Sequence, residues 1–264
     1  MSKEYHHRAR KRFGQNFLHD RGVINQIARA INAQPHQHVV EIGPGKGALT
    51  AELLLTGCQL DAVELDRDLV AILKDCFSDR EQFTLHSADA LKFNYSQLHK
   101  DSTDLRVVGN LPYNISTPLI FKLLENSELI SDMYFMLQLE VVNRLAAKPG
   151  SKAYGRLSVM AQYYCQVDNL FHVPSSAFSP APKVESAVVR LSPYKQLPHS
   201  EVNTDTLQAV VRAAFSQRRK TLRNTMRDIL SAEQLEGLDI NPSARAETLE
   251  LKQFIAIANH VSKP

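Results

Sequence analysis

Cysteine is scarce in this chain and poorly placed for joint work. Cys58, Cys76 and Cys165 are three thiols in 264 residues, odd in number and never in a CxxC spacing. That excludes a disulfide framework and a thiolate metal site, and leaves three small buried hydrophobes in a reducing compartment. The ten histidines show no HExxH spacing, so a zinc site has no support and no metal is expected. No apolar run reaches the ~18 residues needed to cross a bilayer. The basic, polar N-terminus is followed by no apolar signal region, so membrane insertion and export are not expected and the cytoplasm is. The Walker pattern GxxxxGK[ST] is missing as well, which argues against a nucleoside triphosphate. Repeats and low-complexity tracts are absent. What remains is a chain with 44% hydrophobic residues, enough for a sizeable core in one large domain or a large and a small one.

The formal net charge is only +3, but it is unevenly distributed. Lys3, Arg8, Arg10, Lys11 and Arg12 face a single acid, Glu4, near the N-terminus. A second cluster of Arg212, Arg218, Arg219, Lys220, Arg223 and Arg227 contains no acid. Two basic clusters on a nearly neutral chain suggest a polyanion contacted at chosen places. Solvated helix faces are the alternative reading of each.

Between residues 20 and 192, short apolar runs alternate with amphipathic stretches. The expected strands are 38–42, 60–65, 83–86, 105–109, 133–138, 166–173 and 187–191, with helical patterns at 48–56, 67–77 and 116–126. Such alternation predicts an α/β fold with a mainly parallel, seven-stranded sheet covered on both faces. The last two strands are joined by a proline-rich loop, so they are expected to pair as a hairpin and bring in one antiparallel strand. Pro193 and Pro198 bracket a polar linker at 193–202. Beyond it, Leu207, Val210, Val211, Ala214 and Phe215 follow helical spacing, with Thr204 or Asp205 as the N-cap. Further helical patterns at 221–230 and 249–261 complete a small helical domain over 203–264, following a larger one over 1–192.

The first strand runs into Glu41-Ile42-Gly43-Pro44-Gly45-Lys46-Gly47. Glycines there let backbone approach a ligand closely. A dinucleotide would set its pyrophosphate beside Glu41, which is repulsive. S-adenosylmethionine carries no phosphate, and its ammonium group favours an acid near that position. The second strand ends Glu64-Leu65-Asp66, where an acid can accept both ribose hydroxyls. After the third, Asp89 can accept from the 6-amino group of a cofactor adenine. Capping of a helix is the structural alternative for either acid.

After the fourth strand comes Asn110-Leu111-Pro112-Tyr113. The Asn110 side-chain oxygen and the Leu111 carbonyl can each accept from an exocyclic amine, Pro112 stiffens the turn, and Tyr113 offers an aromatic face. An adenine or cytosine amine is a poor nucleophile because its lone pair is delocalised into the ring. Two acceptors on its hydrogens favour the pyramidal geometry and stabilise the charge that develops during attack.

With these motifs in place, the chain resembles the ribosomal RNA adenine dimethyltransferases. The resemblance is carried by Lys11-Arg12-Phe13-Gly14-Gln15-Asn16-Phe17-Leu18, by 41–47 and 110–113, by Phe178-Ser179-Pro180-Ala181-Pro182-Lys183-Val184, and by Ala214-Phe215-Ser216-Gln217-Arg218-Arg219-Lys220. It implies a Rossmann-like class I methyltransferase domain with a small helical C-terminal domain. It further implies transfer of four methyl groups from S-adenosylmethionine to two adjacent adenosines in the 3′-terminal hairpin loop of 16S rRNA. The implied partner is that RNA in the 30S subunit or its precursor, engaged by a monomer with a role in small-subunit biogenesis. Asn16, Leu18, Gly43, Glu64, Asp89 and Asn110 would hold the cofactor. Tyr113 and Phe178 would hold an extruded base on its two faces. Lys183, Arg219, Lys220 and Arg223 would contact phosphates, with Arg219 and Arg223 sharing a helical face and Arg218 packing or pairing internally. Three rivals are a large-subunit dimethyltransferase of the macrolide-resistance type, an NAD oxidoreductase and a non-catalytic ribosome-assembly factor. The C-terminal motif speaks against the first, and Glu41 with Asn110 to Tyr113 against the second.

Overall fold

The computed structural model describes residues 10, 14–99 and 104–262. Lys3, Arg8, Lys11 and Arg12 of the basic N-terminal cluster, and Phe13 of the first motif, lie outside the described residues. In chain order the strands are β1 Phe17–Leu18, β2 His38–Ile42, β3 Gln59–Glu64, β4 Phe83–Ser87, β5 Leu105–Asn110, β6 Ile130–Gln138, β7 Cys165–Val173, β8 Phe178–Ser179 and β9 Ser186–Pro193. Seven of them form one sheet in the order β4-β3-β2-β5-β6-β9-β7, and β1 pairs with β8 in a second. Strands β4, β3, β2, β5 and β6 run parallel, and β9 is antiparallel to β6, as the sequence predicts. The proline-rich connection before β9 is more ordered than expected, since it contains β8.

The central strands are nearly continuous apolar runs, the pattern of a sheet covered on both faces. Val39, Val40, Leu60, Leu105, Val107 and Val108 have no exposed surface. The larger compact unit, residues up to 142 together with 168–193, carries helices α1 Arg21–Ile31, α2 Ala48–Leu54, α3 Arg67–Phe77 and α4 Ser116–Leu124. Asp20 caps α1 by accepting from the Val23 N–H, and Asp66 caps α3 by accepting from that of Asp68. The chain reverses its winding direction between β2 and β5, and the two strands approach closely there. A Cβ on Gly109 would lie 2.4 Å from the Ile42 carbonyl oxygen, so only glycine fits.

The second unit, 143–167 with 194 onward, differs from the expected division. Helix α5, Leu139–Leu145, enters it, and α6, Arg156–Tyr164, packs against α7, Thr204–Ala214, and α10, Leu251–Val261. Helix α6 buries Leu157, Val159, Met160 and Ala161, too apolar a surface to remain without those neighbours. Nor is 193–202 a free tether: His199 stacks on Tyr163 with centroids 4.5 Å apart and donates to its carbonyl at 2.9 Å. Asn203, rather than Thr204 or Asp205, caps α7 by accepting from the Thr206 N–H at 2.9 Å. The helix expected over 221–230 shrinks to α8, Leu222–Thr225, whose first-turn N–H groups on Leu222 and Arg223 donate to the carbonyls of Ala244 and Pro242. A short α9, Ala232–Glu236, follows.

One buried polar cluster ties three strands together. Asp61 on β3 accepts from His38 Nε2 on β2 at 2.5 Å and from His86 Nε2 on β4. Burial pushes the Asp61 carboxyl up, but the hydrogen bonds and charges of the two imidazoles outweigh it and hold the group below its ordinary range. A depressed folded-state value stabilises the fold above the unfolded-state pKa and is lost as pH falls through the folded one. Asp61→Ala is expected to cost roughly 3 kcal/mol at neutral pH, the scale of a broken buried ion pair. Urea titrations should show that difference shrinking as pH falls below about 4, the ordinary aspartate value.

Candidate active site

A cavity of about 360 Å³ opens at the C-terminal ends of β2, β3, β4 and β5, where the winding reverses. Open α/β sheets bind ligands at this position. Asn16, Leu18, Gly43, Glu64, Asp89, Asn110, Leu111 and Tyr113 all line it, so the structure brings eight of the expected residues to one place. Gly43 has φ +67° and faces the next segment so closely that a Cβ would stand 3.9 Å from the Asn110 carbonyl oxygen. The glycine loop and the Asn110 tetrapeptide thus share one wall.

Asn110 is oriented by its own hydrogen bond. Its amide nitrogen donates to the Asn16 backbone carbonyl at 3.0 Å. A carbonyl can only accept, so the partner fixes which way the amide points and leaves the side-chain oxygen to serve as an acceptor. Leu111 is fully buried in the cavity wall, its N–H donating to the Met136 carbonyl at 3.2 Å. The Tyr113 hydroxyl lies 2.9 Å from Ser186 Oγ on β9, which anchors the ring at its tip. Burial raises the Tyr113 phenol above its ordinary value and keeps it neutral.

The Phe178 ring, expected on the second face of a target base, is 3% exposed and packs in the apolar core with Val173, Ala177 and Val188. Its strand β8 pairs with Leu18 of β1, and that pairing carries the side chain inward. The geometry of the basic cluster is a correction. Arg218 to Lys220 lie in the turn between α7 and α8, so Arg219 and Arg223 do not share a face of one helix. Arg218 does pair internally, donating to the Lys152 carbonyl at 2.7 Å. Arg219, Lys220 and Arg223 are exposed in the second unit, and Lys183 is exposed on the loop after β8.

Acids dominate the cavity. Among the described residues, Glu41, Glu64 and Asp89 share the lining with one cation, Lys46, whose ammonium sits 5.0 Å over the Phe17 ring. Glu64 is nearly buried, accepting from the Asp66 N–H at 2.9 Å and the Gly45 N–H at 3.3 Å. Desolvation pushes its carboxyl up against those donors. Burial raises Glu41 further, to about 7, although the Thr50 hydroxyl donates to it at 2.6 Å; the charge of Glu64 adds to the rise. Asp89 spends one oxygen on the Leu91 N–H and lines the cavity beside Ala88 and Ala90. The desolvated Glu41 and Glu64 disfavour a pyrophosphate and suit a ligand bearing ammonium and sulfonium charges. S-adenosylmethionine fits this donor set.

Sequence reasoning missed the Thr50 partner of Glu41 and the Ser186 anchor of Tyr113. The first is local, nine residues on in the helix that follows the glycine loop; the second carries no local signal, because it depends on which strands become neighbours. The doubly wound sheet, the glycine loop and this acid-lined cavity define a class I S-adenosylmethionine-dependent methyltransferase. More narrowly, the chain belongs to the ribosomal RNA adenine dimethylase family, whose model matches residues 6–263. It is 58% identical over 255 residues to ribosomal RNA small subunit methyltransferase A of Hahella chejuensis, covering 97% of this chain and 93% of that protein. It is 56% identical over 263 residues to the protein of the same name from Pseudomonas savastanoi pv. phaseolicola, covering 100% of this chain and 98% of the other. Among solved structures, a dimethyladenosine transferase from Plasmodium falciparum superimposes with a TM-score of 0.78 at 26% identity, over 92% of this chain and 96% of that one.

The raised Glu41 value sets a pH dependence. The free-state carboxyl is largely neutral below about 7, and an ammonium group beside it favours the ionised form, so binding releases a proton. Cofactor affinity is therefore expected to rise with pH, by at most about tenfold per unit, and to level off above the free-state value. Calorimetry across that range should show the slope, and Glu41→Gln should flatten it.

Proposed function

We propose that this chain is the S-adenosylmethionine-dependent dimethyltransferase that modifies the 6-amino groups of two adjacent adenosines in the 3′-terminal hairpin loop of 16S rRNA. Its substrate is the 30S particle or its precursor, met in the cytoplasm by a monomer. The observation that carries this reading is the orientation of Asn110, whose nitrogen is committed to Asn16 and whose oxygen is left to accept. The relatives' small-subunit names support the choice of RNA. Among the described residues no helix is long and apolar enough to cross a membrane.

Bound S-adenosylmethionine supplies a methyl group on a sulfonium, already an excellent leaving group. The protein's task is then to make the amine nucleophilic and to aim it. Asn110 Oδ1 and the Leu111 carbonyl accept the two amine hydrogens, drawing the nitrogen lone pair out of conjugation and stabilising the charge that grows on it. The Tyr113 ring stacks on the target base. Adenosines in a hairpin loop are cheaper to unstack than paired ones, which suits an enzyme that extrudes its target. Lys183, Arg219, Lys220 and Arg223 contribute phosphate contacts.

Methyl transfer from labelled S-adenosylmethionine to 30S particles lacking the modification tests the reading; particles that stay unlabelled while 50S particles or no RNA at all are modified would reject it. In the same assay Asn110→Ala is expected to lower the rate by roughly a hundredfold or more, by analogy with lost oxyanion-hole donors, while RNA binding stays intact. Tyr113→Phe should retain most activity and lose about 1 kcal/mol of stability from the missing Ser186 bond, whereas Tyr113→Ala should lose activity.

The exposed cations give a separate expectation. Neutralising Arg219 and Arg223 together should weaken particle binding and flatten its log–log salt slope by about two units at most, without altering cofactor affinity. Filter binding at graded salt measures it, and an unaltered slope would reduce the cluster to a solvated surface.

A further inference from the structure

The segment 14–18 crosses the cavity as a strap tied down at both ends. At one end β1 pairs with β8, and the His19 N–H donates to the Ala177 carbonyl at 3.0 Å. At the other end the contacts converge on Asp66, whose side chain is 1% exposed. Asp66 accepts from Arg10 Nη1 at 2.9 Å and from Gln15 Nε2 at 3.0 Å, while Gln15 Oε1 accepts from the Arg10 N–H at 2.8 Å. A second arm of the Arg10 guanidinium reaches Asp68. Over the glycine loop the strap lies so close that a Cβ on Gly45, at φ +60°, would stand 3.2 Å from the Phe17 ring.

Between these anchors lies the Asn16 carbonyl that holds the Asn110 amide at 3.0 Å. The Asp66 N–H donates to Glu64 Oε1 at 2.9 Å, so one turn carries both the acid assigned to the cofactor ribose and the anchor of the strap. Releasing the anchor frees Asn16. The Asn110 amide can then turn over and present its NH2 to the target amine, a donor facing a donor.

We propose that Asp66 and Gln15 are positioning residues: they pin the strap over the cofactor cavity and, through the Asn16 carbonyl, keep the Asn110 oxygen aimed at the target amine. This deepens the functional reading above and rests on it. Neither residue has to touch the RNA or the reacting atoms; both act through the strap. The arrangement also makes cofactor residence depend on the same bonds, because the strap forms part of the cavity wall.

The test uses the full-length protein with S-adenosylhomocysteine as probe. Gln15→Ala removes the Asp66 and Arg10 contacts from a partly exposed site. Asp66→Asn keeps a competent helix cap while placing a donor against the Gln15 amide. Both variants are expected to speed hydrogen exchange of the 14–18 amides in the protein without ligand. Dissociation of the probe in stopped flow should quicken about five- to tenfold, the scale of one or two net hydrogen bonds. With 30S substrate, kcat should fall while KM for the particle holds, and the melting temperature should stay near that of wild type. Unchanged strap exchange and unchanged probe dissociation would overturn the proposal, as would a lowered melting temperature with normal dissociation. Exchange and dissociation judge the strap whether or not wild-type protein methylates 30S particles, so a failure of the functional reading remains distinguishable.

Discussion

The site depends on a side chain that is missing. Gly109 lets β5 lie against the end of β2 with the Ile42 carbonyl where a Cβ would otherwise sit, 2.4 Å away. Ile42 leads into the glycine loop and Gly109 into Asn110, so this contact sets the distance between that loop and Asn110. A larger residue meets backbone on the far side, and backbone in a doubly covered sheet has nowhere to move. The winding reversal opens a crevice at this point, and the missing Cβ keeps its two walls close enough to serve one reaction.

Within that crevice, selectivity comes from desolvation. Among the described residues, three acids and one lysine line the cavity, and the lysine is drawn over Phe17. Burial raises the Glu41 carboxyl to about 7, so its protonation is one that a cationic ligand nearby would tip toward the ionised form. Glu64 is kept usable by donors from Asp66 and Gly45. A polyphosphate would meet buried acids, with Lys46 the one basic group among the described lining residues to offset them. The same lining that welcomes a sulfonium thus excludes the commoner occupants of glycine loops.

Much of this was legible in the residues. Strand β2 and helix α3 fall where periodicity puts them, since both are long, apolar on the right faces and flanked by clear breaks. Six of the eight expected residues that line the cavity were readable because each lies at or just after the C-terminal end of a strand, and strand ends in such a sheet converge; Asn16 and Leu18 were readable only from their motif. The burial of Phe178 was not legible, because its proline-rich motif reads as a loop while β8 pairing turns the ring into the core. The run 218–220 misled through charge alone: helical spacing was assumed where the chain makes a turn. Asp66 was visible as an acid beside Glu64, yet nothing local distinguishes a ribose acceptor from an anchor for a segment some fifty positions earlier. Helix α6 joins the second unit for a similarly non-local reason, since its apolar surface is covered by α7 and α10, which come much later in the chain.

The far end of the sheet explains how such an alignment is kept. Arg106, at the start of β5, forms a two-pronged pair with Asp132 on β6, both contacts at 2.8 Å, and a third donor arm reaches Gln37 at 2.7 Å. The β5–β6 register slips by one residue just before this pair and then runs regularly from Arg106 opposite Asp132 to Asn110 opposite Met136. Arg106 and Asn110 are about 13 Å apart along one strand, at ~3.3 Å per residue. A register slip at the ion pair would carry straight through to Asn110 and exchange the faces its neighbours present. Leu111 would then lose the Met136 carbonyl that receives its N–H. A buried pair of this kind adds little net stability over apolar packing, but it tolerates only one pairing geometry. Its contribution here is to fix the strand at its base so that the acceptor at its tip arrives in register.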